Sequence, residues 1–170
     1  MSKYRIEPAH SELCLEARSN VHPIEIRTQG LIGTIALDIH AGHLDLSNPP
    51  RATLEVEADC LRSGIELYDK EIHRVIDVRK YRSVSAELHE THEIVPGRYR
   101  LTGSLSLRGV TRNVGGEVTL RVRNGDDSLE IEWASTLDTR HFELPLPKIL
   151  MLEMQPEINV RAKIYAARLT

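Results

Sequence analysis

A two-residue alternation of apolar and polar side chains runs through most of this chain and constrains its fold more than any other feature. The clearest example is residues 98–108 (RYRLTGSLSLR), in which one face carries Tyr99, Leu101, Gly103, Leu105 and Leu107. Successive side chains of a β-strand point to opposite faces, so this pattern predicts a strand with one buried face. The same alternation predicts strands at residues 11–18, 31–39, 52–58, 84–88, 116–123, 129–137 and 158–166.

Two segments depart from this period. In residues 64–78 the apolar side chains recur every three or four positions, which predicts an amphipathic helix. Residues 145–156 contain three prolines. Because proline cannot donate to a strand ladder, we expect an edge or a bent lip there, with one short strand inside it.

Turn signals join the predicted strands into hairpins. Pro96-Gly97 and Asn124-Gly125 are strong examples. Eight strands, with one α-helix between the third and fourth strands, indicate an all-β antiparallel barrel, since closure removes the exposed edges of a sheet. No linker or long repeat divides the chain, so we expect a single domain over residues 1–170. An eight-stranded barrel is wide enough for side chains or one slender ligand.

Composition and charge exclude several classes of protein. Asp and Glu (25) slightly outnumber Lys and Arg (22), which disfavours nucleic-acid binding. No apolar run approaches the roughly 20 residues of a membrane-spanning helix, and the N-terminal residues lack the pattern of a secretory signal. We therefore expect a cytoplasmic protein that does not span a membrane. Cys14 and Cys60 are expected to be reduced, half-buried thiols.

Three segments resemble the YceI-like family of polyisoprenoid-binding proteins: YRIEPAHSEL near the start, GLIGTIALDI in the second predicted strand and GSLSLRGVTRNV at 103–114. The resemblance extends from residue 4 to about residue 166, with Arg82 and the Phe142-Glu143 pair as departures from the family pattern. It implies a lipocalin-like barrel without enzymatic activity. Such a barrel would carry a hydrophobic isoprenoid-type lipid, such as a quinone or a polyprenyl lipid, in its channel. The resemblance is also compatible with a homodimer.

The inward faces of the strands are the candidate ligand site. With one Phe and one Trp in the chain, any cavity must be lined mostly by Leu, Ile and Val, which bury an alkyl chain at about 0.8 kcal/mol per CH₂ group. The pattern alone favours side chains that fill the interior, whereas the resemblance favours a cavity wall. We expect no catalytic residue and no cofactor other than a bound lipid. The candidate channel-lining residues are Leu13, Leu15, Ile35, Leu37, Leu54, Val56, Leu101, Gly103, Leu105, Leu107, Trp133 and Phe142.

Histidines are too scattered to predict a metal site. His40 and His43, like His89 and His92, are three positions apart, and such positions point to opposite faces of a strand unless a turn brings them together. We expect solvated polar edges and no bound metal.

Two further polar sets have a structural and a functional interpretation. His10 and Ser11 are neighbours whose side chains point apart in a strand, so we expect them to tie the first turn to the backbone rather than to act as base and nucleophile. Arg108 either contacts a ligand headgroup or pairs with Asp69 to seat the helix, and the pairing with Asp69 is favoured.

Two other functions compete with a lipid carrier. A small-barrel enzyme, such as an isomerase or cyclase acting on a lipid, would need a titratable group that faces the cavity, and Glu and His fall mainly on the outward faces. A dimeric interaction module with a filled core would instead use exposed strand edges or the 145–156 lip to dock a partner.

Overall fold

The computed structural model describes residues 1–170 and is built from eleven β-strands, one α-helix and three short 3-10 helices. The strands are β1 (Ser2–Ile6), β2 (Glu12–Ser19), β3 (Ile24–Thr28), β4 (Ile32–His40), β5 (His43–Asp45), β6 (Arg51–Glu57), β7 (Ser83–Val95), β8 (Arg98–Leu107), β9 (Val110–Arg123), β10 (Ser128–Asp138) and β11 (Met154–Arg168). The α-helix is α1 (Glu66–Ile76), and the 3-10 helices are Pro8–His10, Ala58–Cys60 and Thr139–Phe142.

Eight of the strands form a closed antiparallel barrel, as the alternation predicts. Their order is β1, β4, β6, β7, β8, β9, β10 and β11, and β11 returns to β1 through the pairs that begin at Tyr4 and Arg168. The N-terminal half of β11 pairs instead with β2, which pairs with β3. β1 and β2 therefore lie along successive parts of the same long strand.

The helix residues agree with the prediction, but its place in the strand order does not. α1 lies within the predicted segment 64–78 and follows β6, so the position between the third and fourth strands is wrong. The difference arises because the three short strands β1, β3 and β5 were not among the predicted strands. Each of them has only three to five residues and offers at most two inward apolar positions to mark its period.

α1 covers one end of the barrel, which we call the helix end. Ile72 and Ile76 pack with Ile26 and Val56 in a buried cluster. The helix stops at Asp77, which adopts a left-handed conformation with φ of 58°. The β2–β3 turn (residues 20–23) and the connection between β10 and β11 (the 143–153 connection) are joined by two hydrogen bonds between Asn20 and Glu153. Both lie at the helix end, because the N–H of Lys148 in this connection donates to Glu71 of α1.

The opposite end of the barrel is sealed by close packing. Tyr4, Leu129 and Ala166 are completely buried there, and Ile35 and Leu37 belong to the same cluster. The hydroxyl of Tyr4 donates to the carbonyl oxygen of Asp126 at 2.7 Å, so the large ring is buried without an unpaired polar group.

The first turn confirms the structural interpretation of Ser11. Its buried hydroxyl donates to the carbonyl oxygen of Glu7 at 2.8 Å and accepts from the backbone N–H of Tyr165 at 3.0 Å. These bonds join β2 to β11 just where the chain passes from β1 to β2. His10 remains exposed on the outside.

The one α-helix, with 11 residues, is too short and too polar to cross a membrane.

Candidate ligand cavity

The barrel encloses a largely apolar cavity of about 350 Å³. This volume lies near the lower limit of the roughly 300–1,000 Å³ that is usual for small-molecule sites. Of the 50 residues that line it, 37 are hydrophobic. The lining comes from nearly every strand of the barrel, from α1 and from the 143–153 connection, so the cavity is a product of the whole fold.

The structure brings eleven of the twelve candidate residues together around this cavity. They are Leu13, Leu15, Ile35, Leu37, Leu54, Val56, Leu101, Gly103, Leu105, Leu107 and Trp133. Phe142 is the exception: it is 2 % exposed at the end of the 3-10 helix Thr139–Phe142 and does not line the cavity. Because Phe142 lies in this helical turn, its side chain does not follow the two-residue alternation of β10. Whether the eleven bind a ligand remains a prediction.

The inward side chains of β8 show that this part of the barrel is hollow. Tyr99 at the start of the strand is buried, whereas Leu101, Leu105 and Leu107 remain partly exposed although they share its inward phase. Inward aliphatic groups that keep accessible surface have free space in front of them, since a filled core leaves few voids larger than a water molecule. The lining of β8 is therefore a cavity wall, unlike the tightly packed opposite end.

Glycines allow the strands around the cavity to approach closely. A Cβ atom on Gly103 would collide with the carbonyl oxygen of Glu87 on β7. A Cβ atom on Gly116 would collide with the Trp133 indole, and it would lie 2.7 Å from the carbonyl oxygen of Ala134. A glycine inside a strand often marks a close approach by another group. At Gly103 the approaching group is the backbone of the neighbouring strand β7.

Titratable side chains are nearly absent from the cavity wall. Only Glu55, Glu87 and Tyr99 are titratable among the lining residues. Glu55 and Glu87 are exposed and lie out of phase with their inward neighbours Leu54 and Ala86, so their carboxylates face solvent. Burial raises the pKa of Tyr99, which keeps that phenol neutral. A wall of this kind offers a bound molecule apolar contact but no charged general acid or base.

Arg108 binds the helix through the carbonyl oxygen of Val75 rather than through Asp69. Its guanidinium donates from Nη1 to the carbonyl oxygen of Val75 in the last turn of α1 at 2.9 Å. Asp69 instead accepts from the backbone N–H and the hydroxyl of Ser63 at 2.6 and 2.7 Å, and from the N–H of Gly64 at 3.2 Å. The predicted Arg108–Asp69 pair is therefore wrong, and each residue holds a different part of the helix segment.

A set of rim residues was missing from the sequence-based candidates. The 143–153 connection contributes Leu144, Pro145, Leu146, Pro147 and Ile149 to the cavity lining. Their order of apolar residues between prolines follows no strand or helix period, so alternation could not identify them. The concentration of apolar residues in a proline-rich segment was the one available signal. Leu146 is also 44 % exposed, which places it at the boundary between cavity and solvent.

The histidines and cysteines lie apart from the cavity wall. His40 stands opposite His43 across the β4–β5 turn, so these two imidazoles share a face. The one group of three possible metal ligands within reach of one another, Glu57, Asp59 and Cys60, lies near the surface. Cys14 is buried and Cys60 is half-buried, and neither forms a disulfide. The expectation that the protein binds no metal stays a prediction.

Solved structures confirm the fold at low sequence identity. BcnA of Burkholderia cenocepacia superposes with a TM-score of 0.79 at 13% identity, covering 95% of this chain and 99% of that one. A polyisoprenoid-binding domain from Saccharophagus degradans, implicated in plant cell wall breakdown, gives 0.72 at 10% identity and 98% coverage of both chains. A Campylobacter jejuni YceI protein gives 0.66 at 11% identity, covering 82% of this chain and 81% of that one.

Sequence comparison identifies the family. No curated protein matches the chain in sequence. The model of the YceI-like domain, in contrast, matches residues 4–166. This range includes the helix and all or most of each of the eight strands of the closed barrel, with only the first two residues of β1 and the last two of β11 outside it. The chain therefore belongs to the family of YceI-like domains.

Proposed function

We propose that this protein binds a hydrophobic isoprenoid-type lipid, a quinone or a polyprenyl lipid, in the barrel cavity and carries it without altering it chemically. The observation that supports this most is the wall itself, in which 37 of 50 residues are hydrophobic. An alkyl chain gains about 0.8 kcal/mol for each CH₂ group that leaves water, and it needs shape and apolar area rather than polar pairing. The polyisoprenoid-binding domain that shares this fold supports the same ligand class.

The cavity also limits how the lipid is held. A volume of about 350 Å³ suits a short tail, or one whose far end extends beyond the barrel. Because the wall has no charged group facing inward, a charged headgroup has no ionic partner inside and is expected to remain at the rim. Leu146, which is both part of the lining and half in solvent, marks that rim.

Extraction of the purified protein with organic solvent, followed by mass spectrometry, tests the proposal directly. We expect a stoichiometric isoprenoid. A second measurement uses Trp133, the one tryptophan of the chain, which lies in the cavity wall. Titration with farnesol or decylubiquinone should change its fluorescence in a saturable way. A folded protein that releases no isoprenoid and binds neither probe would contradict the proposal.

An enzymatic role predicts a different outcome from the same mixture. Farnesol recovered after prolonged incubation should be chemically unchanged if the protein is a carrier. Conversion of the probe would favour the isomerase or cyclase interpretation, for which the neutral phenol of Tyr99 is the one titratable group that faces the cavity.

The homodimer and the cytoplasmic location also stay predictions. Light scattering during size-exclusion chromatography measures the first, and fractionation of cells that produce the natural protein measures the second.

A further inference from the structure

Exposed apolar side chains are concentrated at the helix end of the barrel. Leu150 and Met151 are 82% and 90% exposed, more than any other large hydrophobic residue, and Val21 follows at 67%. Five of the eleven exposed large hydrophobic residues lie in the three segments that cover this end, since Leu67 and Leu146 join the three named above. A sixth, Ile65, directly precedes α1. Concentrated exposed apolar surface of this kind normally marks an interaction site.

Leu150 and Met151 form the tip of an anchored turn. Ile149 and Leu152 pair through backbone hydrogen bonding on either side of them, and the N–H of Leu152 donates to the carbonyl oxygen of Ile149 at 2.9 Å. Ile149 is buried against Ile24 and Met154. The turn is thus fixed at its base, while its two apical side chains project into solvent.

A hydrogen bond to the helix also fixes this turn. The N–H of Lys148 donates to the Oε1 atom of Glu71 on α1 at 2.9 Å. The Arg74 guanidinium, and to a lesser extent this N–H, lower the pKa of Glu71 to about 2. Glu71 therefore remains a charged acceptor at any physiological pH, and the turn stays attached to the helix.

The backbone at the tip favours a small or polar residue, yet an apolar one is present. Leu150 has a φ of 47°, in the left-handed region that glycine and asparagine adopt most easily. A leucine in this position has a conformational cost, and its side chain gains no contact inside the protein that would offset it, because it is almost fully exposed. Contact with something outside the protein would offset that cost.

Val21 and Leu67 lie on the two segments that are hydrogen-bonded to the connection carrying this turn, the β2–β3 turn and α1. Val21 follows Asn20, which is hydrogen-bonded in both directions to Glu153 at the end of the connection. Leu67 precedes Tyr68, which packs against the cluster of Ile24, Ile149 and Met154. We call Val21, Leu67, Leu150 and Met151 the apolar tip.

Charges around the apolar tip are mixed in sign. Within three residues of its members in sequence, the acidic residues are Glu66, Asp69 and Glu153 and the basic ones are Arg18, Lys70 and Lys148. Arg74 is occupied by Glu71 at 2.6 Å, and the formal charges beside the tip in sequence balance. Its attraction to a partner is therefore expected to come from apolar contact rather than from charge, and to depend little on salt.

We propose that the apolar tip inserts into the surface of a lipid bilayer with zwitterionic headgroups. The inference rests on the proposed function, because it assigns the surface from which the lipid is taken or to which it is delivered. Its main support is continuity: the 143–153 connection lines the cavity with Leu144 and Leu146 and, a few residues later, carries Leu150 and Met151 into solvent. With the tip in a bilayer, an apolar tail passes between membrane and cavity along one apolar segment.

The shape of the tip distinguishes a bilayer from a second copy of the chain. A stable protein interface buries about 800 Å² on each partner, and a projecting turn with two apical side chains offers far less than that. A convex projection also needs a matching hollow on a rigid partner, whereas a fluid bilayer accommodates it by local rearrangement.

Sedimentation with phosphatidylcholine vesicles tests the proposal. The wild-type protein should bind, and the double variant Leu150→Ser, Met151→Ser should bind at least tenfold more weakly, since burying one such side chain is worth roughly a factor of ten in a partition constant. The matched control is Ile94→Ser, Val95→Ser, which removes two exposed apolar side chains at the opposite end of the barrel. The control should bind vesicles like the wild type, at low and at high salt.

Several outcomes would overturn the docking proposal. The first is failure of the wild type to bind vesicles, and the second is an equal loss of vesicle binding in both double variants. The third is binding only to anionic vesicles with a steep salt dependence, and the fourth is a dimer in solution that the Leu150→Ser, Met151→Ser variant dissociates.

Farnesol binding, followed through Trp133 without vesicles, separates this proposal from the function it rests on. A variant that binds farnesol normally but not vesicles supports docking, whereas a wild type that binds farnesol but not vesicles retains the carrier function and loses the docking surface.

Discussion

Leu105→Trp is the substitution that best distinguishes a hollow barrel from a filled one. Leu105 lies in the middle of β8, opposite Ala86 on β7, and is only partly buried although it faces the cavity. In a filled core, the larger ring would have to displace its neighbours, at a cost of about 1–3 kcal/mol in stability. In the observed cavity the ring enters free space instead, so the free energy of unfolding should change by less than about 1 kcal/mol.

The same ring should compete with the ligand. If it occupies the space of about three CH₂ groups of a bound tail, the loss is about 2.4 kcal/mol at 0.8 kcal/mol per group. This corresponds to a dissociation constant roughly 60-fold higher. Calorimetric titration with farnesol measures the binding loss, and urea denaturation measures the stability.

Ser106→Trp is the matched control for this experiment. Ser106 neighbours Leu105 on the same strand but faces outward, where its hydroxyl bonds to that of Thr111 at 2.7 Å. The control adds the same ring outside the barrel and should leave farnesol binding within a factor of two or so of the wild type. Unchanged farnesol binding in a folded Leu105→Trp variant would refute the idea that β8 lines the site. A large loss of stability in that variant would refute the hollow interior.

Three further substitutions test what holds the barrel and its helix. Leu129→Ala, at a completely buried position, should cost about 2–5 kcal/mol in urea denaturation. Arg108→Ala should increase amide hydrogen exchange in the last turn of α1, where the carbonyl of Val75 loses its donor. Burial acts to raise the pKa of Asp69, but hydrogen bonds from Ser63 and from the N–H of Gly64 outweigh the effect of burial. The pKa of Asp69 therefore lies below its usual value. Asp69→Asn should therefore destabilise the protein by about 2 kcal/mol at neutral pH, and the difference from wild type should shrink below about pH 4 as the wild-type carboxylate is protonated.

Alternation predicted the parts of the fold whose stability comes from a repeated inward face. β8 is the clearest case, because every second residue from Tyr99 to Leu107 faces the interior. The helix was equally predictable, since Ile72, Val75 and Ile76 lie on one face at helical spacing and are all buried. Long elements of this kind carry several consistent signals, and the barrel and most of its wall follow from them.

Elements whose period is interrupted were harder to predict. β7 was expected only over residues 84–88 but continues to Val95, because the pairing register shifts between Leu88 and Glu90 and the later residues no longer alternate in phase. A β-bulge of this kind adds one residue to a strand and reverses the faces beyond it. Sequence alternation alone reads such a reversal as the end of the strand.

Polar pairings depended on distances that the sequence does not contain. Asp69 and Arg108 are both suited to an ion pair by residue type, but residue type does not show which groups lie within hydrogen-bond distance. The structure shows that the backbone N–H groups of Ser63 and Gly64 are close enough to occupy the carboxylate. Arg108 meets the carbonyl of Val75, one of the helix's terminal acceptors without an internal partner. Such backbone groups are present at every position and give no signal in a sequence.

The distribution of stabilising contacts along the barrel matches its proposed use. At the opposite end, completely buried residues such as Leu129 and Ala166 close the barrel together with Tyr4, so opening there requires exposure of a large apolar area. At the helix end, the covering segments are held by smaller clusters and by individual hydrogen bonds, among them the one from Lys148 to Glu71. Local opening costs less free energy where fewer buried contacts must be broken. For the proposed lipid carrier, we expect entry through the helix end, beside the apolar tip, while the closed ring of strands stays intact.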